Sequence, residues 1–290
     1  MIIVKLLGGL GNQMFQYAMG RSLADRYNVS LKLDVAAFEH YRLRRYELDD
    51  FNIRAEIASE NDIASLRVST KHHTLWHRVK KRLLPSSSKM VFAESSFAYD
   101  ERFEGVMPPA YLEGYWQTER YFVNDAGAIR NDFTLREPLD AANTAMLEQI
   151  QTVNAVSLHV RRGDYVNDRN TSRHHGICSL EYYAAAVGYI TDHVENPHIF
   201  IFSDDQEWAE ENLNFRCHTK FAALNSNNRG VFDMVLMQHC RHHIIANSSF
   251  SWWGAWLNPS PHKIVIAPRI WFQKASQDTR DLIPPTWIKL

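Results

Sequence analysis

With 290 residues, 45% hydrophobic and 22% charged, the chain has the composition of an ordinary globular protein and enough apolar material for two cores. A net charge of -1 and a pI near 6.9 exclude a general nucleic-acid binder, which carries a basic excess, so any bound anion must be held by local arginines. Cys178, Cys217 and Cys240 are scattered and match no zinc spacing, which fits small buried thiols in a reducing compartment.

Ile2 to Leu7 is an apolar run that predicts a buried first strand, because it lacks the charged leader of a signal peptide. No segment approaches the ~20 apolar residues of a membrane span, so the expected location is the cytoplasm. Gly8-Gly9-Leu10-Gly11-Asn12 reads as a loop. Phe15, Ala18, Met19 and Leu23 then recur at helical spacing, and Val29, Leu31 and Leu33 alternate as in a strand. Strand, glycine loop, helix and strand open a parallel α/β unit.

Residues 35–130 are less regular. They include the basic stretch Lys71 to Arg82, which reads as a solvated helix face or as a contact for anionic lipid. The α/β rhythm resumes with a strand from Ala155 to Val160 and a helical stripe of Leu180, Tyr183, Val187, Ile190 and Val194. A strand at His198 to Phe202, a helix at Val231 to His239 and a short strand at Ile244 to Ala246 follow. Ser248 begins a further helix, and Lys263 to Ala267 forms a last strand. This alternation predicts a doubly wound sheet with its ligand at the carboxyl ends of the strands. The boundary is expected near residues 138–152, giving an N-terminal domain of 1–145 and a C-terminal domain of 146–290 whose tail can pack back on the first.

Four segments carry chemistry. His159-Val160-Arg161-Arg162-Gly163-Asp164-Tyr165 follows a strand, and paired guanidiniums at such a place suit a diphosphate; a structural Arg–Asp cluster is the alternative. Ser203-Asp204-Asp205 ends the next strand and either meets a nucleoside or caps a helix. No Asp-x-Asp triplet occurs, which favours arginine over a metal at the leaving group. Asn247-Ser248-Ser249-Phe250-Ser251-Trp252-Trp253 offers hydroxyls and free backbone N–H groups at a helix start, with tryptophans for sugar stacking or for the core. The Gly8 to Gln13 loop lacks the spacing of a dinucleotide fingerprint and the lysine of a Walker loop.

Taken together, Gly8 to Tyr17, Leu112-Glu113-Gly114-Tyr115-Trp116-Gln117, His159 to Tyr165, His175-Gly176, Glu181-Tyr182-Tyr183 and Ser248 to Leu257 resemble the bacterial α1,2-fucosyltransferase family, in order and over nearly the whole chain. The resemblance implies an α/β, GT-B-like fold of two Rossmann-like domains facing a cleft, with the donor in the C-terminal domain. It implies GDP-fucose as donor substrate, inversion at the anomeric carbon, the 2-hydroxyl of a terminal galactose as acceptor, and no required metal or other cofactor. The galactose would belong to an oligosaccharide or to a lipid-linked glycan at the inner membrane.

On that pattern Arg161 binds the diphosphate, and His159 with Asp204 or Asp205 faces the guanosine. Ser248 and Ser249 complete the phosphate pocket, which Arg162, Gly163, Ser203, Asn247 and Phe250 line. Gly11 and Asn12 approach from the other side. Gln13, Tyr115, Trp116, Gln117 and Tyr165 are the expected acceptor contacts. Arg161 is the expected catalytic electrophile, with Asp164 and His175 as candidate bases; the glutamate of the α1,6 relatives is Arg169 here. A transferase using another GDP-sugar is the alternative within the class, and a non-catalytic glycan-binding protein, suggested by 8 Trp and 12 Tyr, the one outside it.

Overall fold

The computed structural model describes residues 1–40, 44–67, 90–163, 176–225, 229–273 and 277–290; Asp164, Tyr165, His175 and the basic stretch 71–82 lie outside them. The chain divides into two units, Met1–Arg136 and Glu137–Leu290.

In the first unit the apolar run forms β1 (Ile2–Lys5), followed by the helix α1 (Leu10–Arg26) and β2 (Leu31–Asp34). β3 (Glu56–Ile57), α2 (Glu60–Arg67), β4 (Val91–Ala93), β5 (Ala110–Glu113) and α3 (Ala126–Asp132) complete it. The strands are all parallel, in the order β3-β2-β1-β5-β4. β1 lies at the centre, which is why Ile2, Ile3 and Val4 have no solvent exposure and show no alternation.

Helix α1 is buried almost all round, polar residues included. Each of those polar groups has a partner, as burial requires. Gln16 accepts from the Leu7 N–H at 3.0 Å and donates to the Gly114 carbonyl at 3.1 Å. Asp132, 1% exposed, accepts from Tyr17 Oη at 2.7 Å and Arg21 Nε at 2.9 Å, which ties α1 to the end of α3.

The second unit runs α4 (Ala141–Thr152), β6 (Asn154–Val160), α5 (Leu180–His193), β7 (Pro197–Ser203), α6 (Gln206–Asn212) and β8 (His218–Phe221). It continues with α7 (Gly230–Gln238), β9 (His242–Ile244), α8 (Ser249–Leu257), β10 (Val265–Ala267) and β11 (Ile288–Lys289). All six strands are parallel, in the order β11-β10-β9-β6-β7-β8. Counted within the unit this is the doubly wound Rossmann order, and the winding reverses between β6 and β9.

The helical stripe of α5 behaves as its spacing predicts: Tyr183, Ala186, Val187 and Ile190 pack on Val156 and Leu158 of β6 and on Ile199 and Ile201 of β7. The tryptophans of α8 belong to the core and not to a sugar platform. Trp252 and Trp253 have no exposure, Trp256 has 3%, and Trp252 Nε1 donates to the Leu282 carbonyl at 3.0 Å. Beneath them His243 Nδ1 meets Ser157 Oγ at 2.8 Å and Nε2 meets the Asn258 amide at 3.0 Å. An amide N–H donating to Nε2 fixes the neutral tautomer with its proton on Nδ1. No helix among the described residues is long and apolar enough to cross a membrane.

Candidate active site

In the second unit the predicted donor residues stand at the carboxyl ends of the neighbouring strands β9, β6 and β7, around the point where the winding reverses. Arg161 and Arg162 leave β6 in different surroundings. Arg161 Nη1 meets Asp204 Oδ2 at 2.8 Å. Arg162 is held on three sides: its N–H donates to Asp204 Oδ1 at 2.8 Å, its Nε donates to Asp205 Oδ2 at 3.1 Å, and its guanidinium carbon lies 3.9 Å from the Trp208 ring centroid. The two aspartates thus serve the two arginines. Asp205 also caps α6, accepting from Trp208 N–H at 3.3 Å, so the capping reading of that dipeptide holds while both carboxylates also pair with arginine. Ser203 Oγ donates to the Asp205 carbonyl at 2.9 Å and turns the chain.

Gly163 leaves room for the Asp204 carboxylate. A Cβ there would lie 2.7 Å from Asp204 Oδ2, the oxygen that pairs with Arg161.

His159 is 5% exposed, and burial beside the Arg161 charge pulls its pKa down to about 4, against the opposing pull of Asp204. The ring is therefore neutral at physiological pH. Its Nδ1 is buried with no hydrogen-bond partner among the described residues, and the ring lies 5.5 Å from that of Phe250. A buried ring nitrogen without a protein partner is suited to a polar ligand atom.

Phe250 belongs to the first turn of α8. Ser248 caps this helix, its Oγ accepting from Phe250 N–H at 3.3 Å, and Ser249 is half-buried at the first helical position. At the far end, the Lys263 ammonium donates to the Ala255 carbonyl at 2.7 Å and the Asn258 carbonyl at 2.5 Å, as suits the negative end of a helix. Asn247 is a clamp: its Nδ2 donates to the carbonyls of Gly176 at 3.3 Å and Trp271 at 3.2 Å, and its Oδ1 accepts from Cys178 Sγ at 3.5 Å. Its amide positions neighbouring segments.

In the first unit the glycine loop joins β1 to α1. Gly8 adopts a left-handed φ of 81°, which a side chain resists, and a Cβ there would lie 2.4 Å from Asn12 Nδ2. Asn12 Oδ1 accepts from Gln117 Nε2 at 2.7 Å, which brings two of the expected ligand contacts together. Gln13 lies elsewhere than expected. It is fully buried, donating to the carbonyls of Gly8 at 3.0 Å and Arg45 at 2.8 Å and accepting from Glu47 N–H at 2.9 Å. Trp116 is also fully buried, 6.0 Å from the Phe92 ring and 5.2 Å from that of Tyr121, and its φ is 59°. Gly11 is buried, and Tyr115, 38% exposed, is the residue of this segment that reaches solvent.

Glu94 is the residue that sequence reading misses. It follows β4, and its Oε2 accepts from the N–H groups of Tyr115 at 2.8 Å and Trp116 at 2.9 Å. Burial raises its pKa to about 7 despite those bonds. An isolated glutamate between Ala93 and Ser95 gives no signal of this.

Glycosyl transferase family 11 matches residues 1–290. The chain is 35% identical over 297 residues to an α1,2-colitosyltransferase of Escherichia coli, with 100% of this chain and 98% of that protein aligned. It is 34% identical over 313 residues to the O-antigen biosynthesis glycosyltransferase WbnK of Escherichia coli, with 98% and 99% aligned. Among solved structures it is similar to NodZ α1,6-fucosyltransferase co-crystallised with GDP, at a TM-score of 0.52, 14% identity and coverage of 89% of this chain and 92% of that one. That likeness concerns the fold, which is GT-B-like. With whole-length matches to its relatives and a sheet of Rossmann order in its second unit, the chain is a member of glycosyl transferase family 11 and a glycosyltransferase.

Proposed function

We propose that the protein transfers L-fucose from GDP-fucose, with inversion, to the 2-hydroxyl of a terminal galactose. The observation that carries this reading is the meeting of Arg161, His159 and the α8 start where the Rossmann winding reverses, in a member of a glycosyltransferase family. Cleaving the bond between the sugar C1 and the phosphate oxygen leaves positive charge on the ring and negative charge on GDP. A guanidinium fork and a helix N-terminus already in place stabilise the leaving diphosphate without reorganisation. The acceptor oxygen forms the new bond to C1 from the opposite face, and its proton leaves late. Asp164 and His175 are the candidates to take it. The pairing of Arg161 with Asp204 keeps the guanidinium in place before the donor arrives.

Within this reading Arg161 touches the diphosphate and Arg162 positions it from behind, while His159 Nδ1 meets the nucleotide. Asn12, Tyr115 and Gln117 serve the acceptor side. The acceptor is a surface-glycan precursor, free or lipid-linked, built at the cytoplasmic side of the inner membrane; the O-antigen biosynthesis role in the name of one relative supports this.

A second reading has a specific observation behind it, because one relative at 35% identity is named a colitosyltransferase. Colitose is fucose without its 3-hydroxyl, and both donors present the same GDP. Arg161 and α8 cannot separate them. The test is a transfer assay with GDP-fucose, GDP-colitose and GDP-mannose against a panel of galactosides, followed by linkage analysis. An α1,2-fucosyl galactoside is the expected product. Transfer from GDP-colitose alone replaces the sugar and keeps the site, whereas a different linkage overturns the acceptor assignment.

A further inference from the structure

Tyr115 reaches solvent just after β5, and its ring stacks on that of Phe97, with centroids 5.7 Å apart and planes 23° from parallel. Phe97 follows β4, so both rings lie at the carboxyl ends of neighbouring parallel strands, the end at which open α/β sheets place their ligands. Half-exposed aromatic faces held in register suit the C–H face of a pyranose.

The backbone beneath the pair is over-determined. Trp116 holds a left-handed φ of 59°, a conformation that costs a residue with a side chain about 1–2 kcal/mol. Glu94 offsets that cost through the two N–H groups it accepts, at 2.8 and 2.9 Å. A Cβ on Gly114 would lie 2.5 Å from Glu94 Cβ, so the segment fits Glu94 closely. The next residue, Gln117, reaches back to Asn12 at 2.7 Å. One carboxylate therefore fixes Tyr115 on one side and the route to the glycine loop on the other.

We propose that the stacked Phe97 and Tyr115 rings form the surface on which the acceptor's sugar ring rests, and that Glu94 is the positioning residue that holds Tyr115 in place. The inference rests on the reading that the N-terminal unit takes the acceptor, and it adds two residues and a mode of recognition to it. Glu94 makes no contact with the sugar; it acts through the backbone of residues 115 and 116.

The experiment measures initial rates against acceptor concentration at saturating donor, with GDP affinity by calorimetry as a separate readout. Tyr115→Ala and Phe97→Ala should each raise the acceptor KM tenfold or more, with kcat within about threefold and GDP affinity within twofold. Tyr115→Phe keeps the ring and should stay within twofold in KM. Glu94→Gln keeps an oxygen for both N–H groups and should retain the wild-type KM within about threefold, whereas Glu94→Ala should raise it tenfold. An acceptor KM unchanged in both ring variants overturns the inference. So does loss of kcat at constant KM in Glu94→Gln, which would make Glu94 a proton acceptor. If the wild type uses a glycan without galactose, the acceptor in the proposed function falls, and the same variants scored on that glycan still judge the aromatic surface.

Discussion

Arg161 and Arg162 are adjacent in sequence and unequal in structure. Arg162 is fixed by two carboxylate contacts and the Trp208 ring, while Arg161 pairs through Nη1 with Asp204 Oδ2. Exchange of that carboxylate for a diphosphate is a like-for-like substitution at a guanidinium fork. Arg161→Ala is therefore expected to lower kcat by about 10²–10³, the usual cost of removing one preorganised donor from a developing oxyanion. Arg161→Lys keeps the charge and loses the fork, and should recover less than a tenth of the activity. On the proposed mechanism, in which arginine neutralises the leaving group, a chelator should leave the wild-type rate unchanged. A rate that collapses with chelator, or an Arg161→Ala enzyme at full speed, sinks this assignment. The arginines, aspartates and serines of this site were legible because each follows a strand in a recognisable motif. Glu94 was not, because its role depends on an accepting geometry between β4 and β5 that no local spacing encodes.

The elements show the same division. The stripe on α5 and the strands β6 and β7 follow from periodicity over a full turn or more. β5 has four residues, Ala110–Glu113, yet it sits beside β1 at the centre of its sheet; a run that short carries no period. β8 reads His-Thr-Lys-Phe, three of its four residues polar, because it lies at the sheet's edge. The apolar residues of helix α1 predict it, but the buried Gln13 reads from sequence as a ligand group; a polar residue in a motif looks alike whether it binds substrate or bridges the backbone. Packing gives a paired prediction here. A Cβ on Gly20 of α1 would lie 2.4 Å from Val4 Cγ2 and 3.0 Å from Leu31 Cδ1, both side chains in the core. Gly20→Ala gains about 1 kcal/mol of helix propensity, but overpacking costs about 1–3 kcal/mol, so the clash wins and the midpoint of thermal unfolding falls. Gly188 of α5 is exposed with nothing within 4 Å of the added carbon. Gly188→Ala should raise the midpoint, and equal signs for the two variants would refute the packing described for α1.

Across the molecule, burial has left both units with carboxyls that ionise late. Glu94 in the first unit and Asp233 in the second are each pushed up to about 7 by desolvation. Unfolded carboxyls ionise near pH ~4, so between about pH 4 and 7 the folded chain holds more protons than the unfolded one. These groups cost no stability below pH ~4 and destabilise the fold progressively as pH rises to about 7. His159 acts in the opposite sense: with its pKa at about 4, acidification from pH ~6.5 protonates the unfolded chain first and destabilises the fold. Glu94→Gln and Asp233→Asn keep their hydrogen-bond acceptors and should each melt higher than the wild type at pH 8, the gain vanishing by about pH 4. A gain that grows on acidification would contradict the burial argument.

Helix α8 links these scales, because the ammonium of Lys263 closes the carbonyl end opposite the proposed donor site. The nine residues of α8, roughly 13 Å of helix, lie between that cation and the Ser248 cap. The helix is thus an electrical lever with one terminal already earthed: its exit-end charge is neutralised inside the protein, and its entrance-end charge is left for the nucleotide of the proposed function to meet. On the proposed function, a lysine at the far end of the helix thereby sets how steadily the site attracts GDP.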